Sequence, residues 1–136
     1  MTGAPHLRVA RPSDDLDALV AFYRDALGFE AIGSFVDHAG FDGVMLGHPA
    51  LPYHFEFTRE RGARAGRAPS PEHLLVFYLA GEEAWNAALA RLARAGVAPV
   101  PSHNPYWDAH GVTVEDPDGY RIVLHRGPWP SEVERE

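Results

Sequence analysis

Cysteine, long apolar runs and an excess of basic residues are all missing from this chain of 136 residues. Without cysteine the chain forms no disulfide, offers no thiolate to a metal and has no thiol nucleophile. No apolar segment approaches the ~20 residues of a membrane-spanning helix. The first residues also lack the basic-then-apolar pattern of a secretion signal. We therefore expect a cytoplasmic protein that does not enter a membrane.

Charge and composition narrow the function further. Twelve Lys and Arg stand against 19 Asp and Glu, for a net charge of -7. Nucleic acid is therefore a disfavoured partner, since phosphate contacts need clustered basic residues. Hydrophobic residues make up 46% of the chain and charged residues 23%, as in an ordinary globular protein. Eight histidines in so short a chain motivate a search for a metal or acid–base site.

The first half of the chain predicts a strand, a helix and three more strands. Ser13 is the predicted N-cap of the helix, and Gly28 stands where a C-cap glycine belongs. Residues 53–58 alternate aromatic and polar side chains, which is typical of a strand with one buried face. The predicted strands span residues 6–11, 29–37, 41–46 and 53–58.

The second half repeats this order. The pattern predicts a helix over residues 82–95 and strands over residues 73–79, 97–100, 111–115 and 120–125. Residues 101–110 form a long polar and aromatic loop, a type of segment that often lines a site. Asp116-Pro117-Asp118-Gly119 is a tight-turn signal, because Pro pre-sets φ and Gly accepts a positive φ.

Equivalent residues recur at a nearly constant distance along the chain. Gly96 follows Gly28 by 68 residues, Gly111 follows Gly43 by 68, and Tyr120 follows Tyr53 by 67. We therefore predict an α+β fold of two tandem βαβββ modules within one domain of residues 1–136. The modules cover residues 5–58 and 72–126, and an Arg-, Gly- and Pro-rich linker covers residues 59–71.

Two motifs carry a family resemblance. Residues 22–29 resemble the Phe-Tyr-x-x-x-Leu-Gly-Phe helix end of the vicinal oxygen chelate superfamily, and residues 116–120 resemble its last turn. That superfamily includes glyoxalase I, extradiol dioxygenases, and fosfomycin and bleomycin resistance proteins. The resemblance implies the glyoxalase/bleomycin resistance/dioxygenase fold, in which the two modules form a cupped mixed sheet. It also implies a homodimer.

In metal-dependent members, the resemblance implies that the first and last strands of each module hold an ion. Those places lie here near His6, Glu56, His73 and Val123. Two imidazoles and one carboxylate suit Fe, Mn, Ni or Zn, whereas the valine cannot coordinate. The predicted cofactor is thus a divalent metal, or none.

The register of the opening strands leaves alternatives for two of these ligands. The register common in the superfamily puts Ala4 in place of His6, and a similar slip puts Leu74 in place of His73. A one-residue slip reverses the faces of a strand. Strand alternation therefore argues against the slip at His73, whereas the slip at His6 spans two residues and stays open.

Strand alternation, applied without the resemblance, divides these strands into two faces. We expect the apolar face to pack under the helices; it consists of Leu7, Val9, Phe55, Phe57, Leu74, Val76, Ile122 and Leu124. The other face then points into the cup, with His6, Arg8, His54, Glu56, Thr58, His73, Leu75, Arg121, Val123 and His125.

Glu56 is the predicted catalytic residue, because an acid between Phe55 and Phe57 needs a partner. It is a metal ligand, a general base or the salt-bridge partner of Arg8 or Arg121. The predicted substrate-binding residues are Arg8, His54, His103, Asn104, Tyr106, Trp107, Arg121 and His125. For the two histidines of the end strands, His54 and His125, the alternatives are acid–base groups and rim histidines bonded to a neighbour. For the loop of residues 101–110 the alternative is a structured lid.

Three functions follow from these residues. The first is a divalent-metal-dependent lyase or dioxygenase, whose ion chelates two neighbouring oxygens of a small organic substrate. The second is a metal-free protein of the bleomycin-resistance type that binds a small flat or aromatic molecule. The third is a non-catalytic interaction domain. The resemblance alone does not choose among them, because this fold serves many chemistries.

Overall fold

The computed structural model describes residues 3–130, which form two compact units divided between Gly66 and Arg67. The first unit contains β1 (Leu7–Pro12), α1 (Leu16–Asp25), β2 (Glu30–His38), β3 (Phe41–Gly47) and β4 (Tyr53–Glu60). Its sheet has the order β1-β4-β3-β2, with β1 parallel to β4 and the other pairs antiparallel. The βαβββ order predicted for the first module is confirmed.

Helix α1 packs its apolar stripe on β4. Leu19 and Tyr23 of the helix are fully buried, and the Tyr23 ring lies 5.0 Å from that of Phe57. The predicted N-cap is wrong by two residues, because Asp15 accepts a hydrogen bond from the Ala18 backbone N–H at 3.0 Å. Ser13 instead accepts from the Asp15 N–H at 3.1 Å, so it supports the cap from outside the helix.

The second unit contains β5 (Leu74–Leu79), α2 (Glu82–Arg94), α3 (Tyr106–His110), β6 (Gly111–Glu115) and β7 (Arg121–Arg126). Its sheet has the order β5-β7-β6, with β5 parallel and β6 antiparallel to the central β7. The short helix α3 lies inside the segment predicted as a loop. No helix within residues 3–130 is long and apolar enough to cross a membrane.

The strand predicted over residues 97–100 is wrong. Among the described residues this segment makes only an isolated bridge, between Val100 and Thr113. Pro99 and Pro101 flank the bridge, and neither has the backbone N–H that a strand ladder requires. The second unit therefore keeps one bridge where the first unit has a full strand.

The internal repeat extends to the strand registers. Gly43 pairs with Thr58 in the first unit, and Gly111 pairs with His125 in the second. In both units the first strand runs parallel to the last. The offsets of 67 and 68 residues thus describe equivalent places in two equivalent sheets, so the predicted repeat is confirmed.

The predicted Asp-Pro-Asp-Gly turn is also confirmed. The buried carboxylate of Asp116 accepts hydrogen bonds from the N–H groups of Asp118 at 2.9 Å and Tyr120 at 3.0 Å. Gly119 has a φ of 88°, which only glycine adopts without strain. The Arg67 guanidinium lies over this glycine and donates to the Pro117 carbonyl at 3.1 Å. The turn is therefore held from inside by a carboxylate and from outside by an arginine.

The segment predicted as a linker is anchored within the first unit as well. β4 extends through Glu60, two residues into that segment. The Asp14 carboxylate accepts from the N–H groups of Ala65 at 2.8 Å and Gly66 at 2.9 Å. These two backbone bonds hold the pKa of Asp14 below its ordinary value. Residues 65 and 66 of the segment are thus bonded to the first unit, whereas Arg67 is bonded to the turn of the second unit.

Candidate functional site

One face of the second unit's sheet carries polar groups at both ends and two valines beside a threonine in the middle. Along β7 this face presents Arg121, Val123 and His125, since alternate residues of a strand share a face. Their cross-strand neighbours on β5 and β6 are Leu74 and Glu115, Val76 and Thr113, and Tyr78 and Gly111, respectively. The opposite face, with Ile122 and Leu124, is buried on the side of α2.

This register corrects the predicted faces of β5. Leu74 and Val76 were expected under the helix, with His73 and Leu75 beside Arg121. Instead, Leu74 pairs with Arg121 and lines a cavity with it. His73 precedes the strand, is exposed, and contacts the edge of the Tyr120 ring at 6.3 Å. Leu74 therefore takes the place beside Arg121 that was expected for His73. The role of His73 as a metal ligand stays a prediction.

A cavity of about 130 Å³ opens on this face. Four predicted substrate-binding residues line it together: His103, Asn104, Trp107 and Arg121. The remaining lining residues are Pro71, Glu72, Leu74, Ser102 and Thr113. The cavity combines an aromatic wall, a guanidinium group and two hydroxyl groups, which is the composition of a small-ligand site.

Hydrogen bonds fix the loop that forms the cavity's rim. The hydroxyl groups of Ser102 and Thr113 lie 2.5 Å apart, and the Ser102 N–H donates to the Asp108 carboxylate at 3.1 Å. The Asn104 side chain accepts from the Tyr106 N–H at 3.0 Å, at the start of α3. The predicted loop is thus a structure fixed by its own hydrogen bonds, and Trp107 is part of it.

Arg121 and Glu72 are charged residues of the cavity lining, and Arg121 is the more buried, with only 17% of its side chain exposed. Its Nε donates to Glu115 at 3.2 Å and its Nη1 donates to the Pro101 carbonyl at 2.9 Å. Nη2 makes no hydrogen bond within residues 3–130. Glu115 also pairs with Arg67 at 3.6 Å, so one carboxylate balances two guanidinium groups. The local charge therefore favours an anion.

His125 lies behind Trp107 and is 2% exposed. The centroid of its ring lies 4.7 Å from that of Tyr78, 6.3 Å from that of Trp107 and 5.8 Å from that of His110. Neither His125 nitrogen has a hydrogen-bond partner within residues 3–130, and the same holds for the buried Tyr106 hydroxyl. His125 is thus not a rim histidine bonded to a neighbour; it is a buried imidazole among aromatic rings.

The first unit brings four other predicted residues together. His6 Nε2 lies 2.6 Å from His54 Nδ1, and the Arg8 Nε–H donates to His54 Nε2 at 2.8 Å. Arg8 also donates to Glu56 at 3.4 Å. Because His54 Nε2 accepts a hydrogen bond, its proton lies on Nδ1 and is donated to His6. Of the interactions proposed for Glu56, the salt bridge with Arg8 is the one that this unit contains.

We expect His54 to titrate below the ordinary histidine value of about 6.5. Burial lowers the pKa of His54 most, followed by the nearby Arg8 and His6, while Glu56 raises it. As pH falls, the unfolded chain therefore takes up this proton first. The stability contribution of neutral His54 is complete above about pH 6.5 and is lost as pH falls through the folded pKa.

Side-chain NMR titration of His54 measures this pKa directly. Arg8→Gln removes a neighbouring positive charge, so the pKa should rise toward the ordinary value. Arg94→Gln, which changes an exposed arginine of α2, is the matched control. A wild-type His54 that titrates at or above its ordinary value would contradict the expectation.

Two of the predicted metal ligands, His6 and Glu56, are each engaged by a neighbouring side chain within the first unit. Within each unit, residues 3–130 contain no group of three His, Asp or Glu side chains placed to hold a metal. His6 faces His54, and the Glu56 carboxylate is paired with the Arg8 guanidinium. Val123, in the place of a family ligand, is fully buried and has no donor atom. We therefore derive no chemistry through a metal.

Sequence reasoning missed several residues of the cavity and its surroundings: Glu72, Ser102, His110, Thr113 and Glu115. The signal for two of them was present in β6, where Thr113 and Glu115 alternate with Val112 and Val114. It becomes usable only when β6 is paired with β7, because pairing puts Thr113 beside Val123 and Glu115 beside Arg121. Glu72, Ser102 and His110 lie outside any strand and carry no periodic signal.

Comparison with known proteins identifies the family. Residues 7–58 match the YycE-like N-terminal domain, and residues 72–126 match the YycE-like C-terminal domain. The uncharacterized protein YycE of Bacillus subtilis (strain 168) is 45% identical over 121 residues, which cover 89% of this chain and 87% of that protein. The chain belongs to the YycE-like family. This YycE-like chain therefore has a bacterial relative of nearly its own extent.

Solved structures agree with this assignment. A Bacillus subtilis YycE protein of unknown function, described as a candidate glyoxalase/fosfomycin resistance protein, is 43% identical to the YycE-like chain. The match covers 95% of this chain and 94% of that one, with a TM-score of 0.83. The YycE-like chain therefore has the glyoxalase/bleomycin resistance/dioxygenase fold, and its expected membership of the vicinal oxygen chelate superfamily is confirmed.

Two more distant structures show the same fold. Trypanothione-dependent glyoxalase I of Leishmania major is 20% identical, with a TM-score of 0.67 over 90% of the YycE-like chain and 86% of the enzyme. The antibiotic-binding protein TnmS3 of Streptomyces is 19% identical, with a TM-score of 0.62 over 92% and 96%. One is an enzyme and the other a binding protein, so at this distance the likeness shows the fold alone.

Proposed function

We propose that this YycE-like chain binds a small organic acid in the cavity lined by Trp107 and Arg121, and that binding needs no metal. The observation that carries the proposal is the cavity itself, in which Arg121 and Trp107 meet on one face of the second unit. Guanidinium groups bind carboxylates through paired hydrogen bonds, and an indole ring covers an apolar body. The proposal thus corresponds to the metal-free alternative.

The size of the cavity limits the ligand. Its volume is about 130 Å³, and an apolar protein cavity of about 150 Å³ is known to hold benzene. One six-membered ring with a small substituent, or a short chain, therefore fits. Large antibiotics do not fit inside this cavity.

Charge selects an acid over a neutral molecule. Arg121 is largely buried, and it shares its counter-charge Glu115 with Arg67. A carboxylate at Nη2 would complete the hydrogen bonds of the guanidinium and balance the excess positive charge. Glu72 opposes this preference, but its side chain is 69% exposed and therefore screened by solvent.

Calorimetric titration with matched benzene derivatives tests the proposal. We expect saturable binding of benzoate to the metal-free protein, and binding of neutral benzamide about tenfold weaker, because it loses the charge-assisted part of the hydrogen bonds. Bound benzoate should also raise the melting temperature. Absence of saturable benzoate binding, or equal affinity for benzamide, would overturn the proposal.

A metal-dependent lyase or dioxygenase is the second candidate. The observation in its favour is the polar face of β1 and β4, where His6, His54 and Glu56 lie together. For Glu56 to serve as a ligand or base, its carboxylate would first have to leave Arg8. The need to break this salt bridge is therefore a barrier to this function.

Metal content separates the two candidates. After purification, and after soaking with Fe(II), Mn(II), Ni(II) or Zn(II), we expect far less than one equivalent of bound metal. Glu56→Ala should hold as little as the wild type, since Glu56 is already paired with Arg8. One equivalent in the wild type that Glu56→Ala loses would instead establish the metal-dependent candidate.

A further inference from the structure

The least explained polar groups of the second unit are those of His125 and Tyr106. His125 is 2% exposed, and neither of its nitrogens is hydrogen-bonded within residues 3–130. The Tyr106 hydroxyl, on α3, is buried without a partner as well. Buried polar atoms in proteins are nearly always hydrogen-bonded, because an unpaired one loses its hydration without return. The rings of both residues contact that of His110, so the two unpaired groups call for an explanation.

The side chains that surround His125 are aromatic, and of these only the His110 ring can become positively charged. Tyr78, Trp107 and His110 surround it, and Tyr106 contacts His110 at 4.5 Å. No carboxylate or guanidinium hydrogen-bonds to His125 among the described residues. A neutral imidazole offers one donor and one acceptor, and a phenolic hydroxyl offers both. A neutral hydroxyl group, which both donates and accepts, can bind one nitrogen of His125 and the Tyr106 hydroxyl.

We propose that His125 and Tyr106 bind the phenolic hydroxyl of the ligand whose carboxylate pairs with Arg121, so that the ligand class is a hydroxylated aromatic acid. This inference rests on the proposed function and extends it. A phenol satisfies both conditions, since its hydroxyl donates and accepts and its ring packs among aromatic side chains. A second carboxylate or an ammonium group would lack a counter-charge beside His125.

The strand geometry places the two ends of such a ligand. Arg121 and His125 lie four residues apart on one face of β7, a separation of about 13 Å between their Cα atoms. Val123 stands between them on the same face and is fully buried, so the stretch between the two polar groups is apolar. The side chain of Arg121 is long, so the distance from its guanidinium to the His125 ring can be shorter than the distance between the Cα atoms. A ring with a short carboxylate arm matches this polar–apolar–polar order.

Trp107 separates the cavity from His125. It lines the cavity beside Arg121, and its ring meets that of His125 edge-on at 6.3 Å. Because His125 is buried, the hydroxyl reaches it only when the Trp107 ring moves aside. Helix α3 has only five residues, so a displacement of this side chain disturbs little regular structure. Binding should therefore change the environment of Trp107.

A matched pair of probes tests the inference: 3-phenylpropanoate and 3-(4-hydroxyphenyl)propanoate, which differ by one hydroxyl. In the wild type we expect the hydroxyl to increase affinity about tenfold, the effect of one well-formed hydrogen bond. His125→Phe and Tyr106→Phe should each reduce this gain to about twofold or less, while the affinity for 3-phenylpropanoate is kept. His38→Phe, at an exposed histidine of β2, is the matched control and should leave the gain unchanged.

Two further readouts address folding and contact. His125→Phe replaces an unpaired buried polar ring with an apolar ring, so its melting temperature should not fall. Tyr106→Phe keeps the ring and provides an independent variant. In the wild type, the side-chain ¹⁵N signals of His125 should shift with the hydroxylated probe and stay in place with the other. Trp107 fluorescence, measured with Trp85 and Trp129 replaced by phenylalanine, should change with the hydroxylated probe.

The outcomes separate the two proposals. Equal affinity of the wild type for both probes, or a hydroxyl gain that survives in His125→Phe, overturns this inference and leaves the proposed function standing. If neither acid binds but the neutral 4-ethylphenol does, the acid-binding function falls, and with it the assignment of an aromatic acid as the ligand class. If none of the three probes binds, both proposals fall.

Discussion

Gly111→Ala is expected to prevent the second unit from folding stably. A Cβ at this position would lie 2.1 Å from the Leu124 carbonyl oxygen and 3.1 Å from the His125 Cα. Both atoms belong to the backbone of the central strand, so neither can rotate away as a side chain does. The φ of Gly111 is 176°, an ordinary extended value, so the requirement for glycine is close approach alone. We expect a loss of about 3 kcal/mol or more in the free energy of unfolding, measured by urea denaturation.

Gly43→Ala is the matched control, because Gly43 is the equivalent residue of the first unit. Its Cβ would meet the Phe35 ring at 2.3 Å. A ring can turn, and we therefore expect a smaller loss of about 1–2 kcal/mol. If the two alanine variants lose the same stability, the β6–β7 contact is more adaptable than its geometry indicates.

Arg121→Met is expected to weaken benzoate binding by tenfold or more. Methionine keeps much of the apolar stem and removes the guanidinium, so the change isolates the charge and its hydrogen bonds. Hydrogen bonds to a charged group contribute about 1.5–3 kcal/mol, which corresponds to roughly 10- to 150-fold in affinity. Binding of toluene, which has no carboxylate, should be unaffected. Calorimetry on the metal-free protein measures both ligands.

Two companion variants show what a loss would mean. Arg94→Met makes the same change on the exposed surface of α2 and should bind benzoate as the wild type does. Arg121→Lys restores the charge without the planar fork, and we expect partial recovery. Glu115 keeps Arg67 as a partner in all three proteins. Undiminished benzoate affinity in Arg121→Met would show that the guanidinium does not contribute to binding.

The parts of the fold that the sequence predicted correctly are those determined by local backbone chemistry. Gly28 and Gly119 adopt positive φ angles where the pattern requires them, and Asp116 closes its turn through its own neighbours. The faces of β4 were also predicted correctly, because Phe55 and Phe57 alternate strictly with His54 and Glu56. In each case the signal lies within a few adjacent residues.

What failed depended on contacts between distant segments. β5 is a continuous apolar run, so its alternation contains no signal, and only the pairing of Leu74 with Arg121 fixes its faces. The burial of His125 depends on α3, which no periodic pattern announced. The outward position of Leu7, which is 58% exposed although it was expected under a helix, arises because β1 is an edge strand. The cytoplasmic location, the domain boundaries and the homodimer stay predictions.

The strand order of the second unit has a consequence for the time at which the site forms. Among the strands of residues 3–130, β7 is the last to be synthesised, yet it lies in the middle of its sheet, and β5 and β6 each pair with it and not with each other. Until residue 126 has left the ribosome, the sheet has no ladder, and its first strand must wait for a partner 47 residues away. Closing such a long loop is slow compared with forming a local turn. The Asp116 turn, which is local, can form first and hold β7 against β6, so that the cavity is completed only by the final pairing to β5.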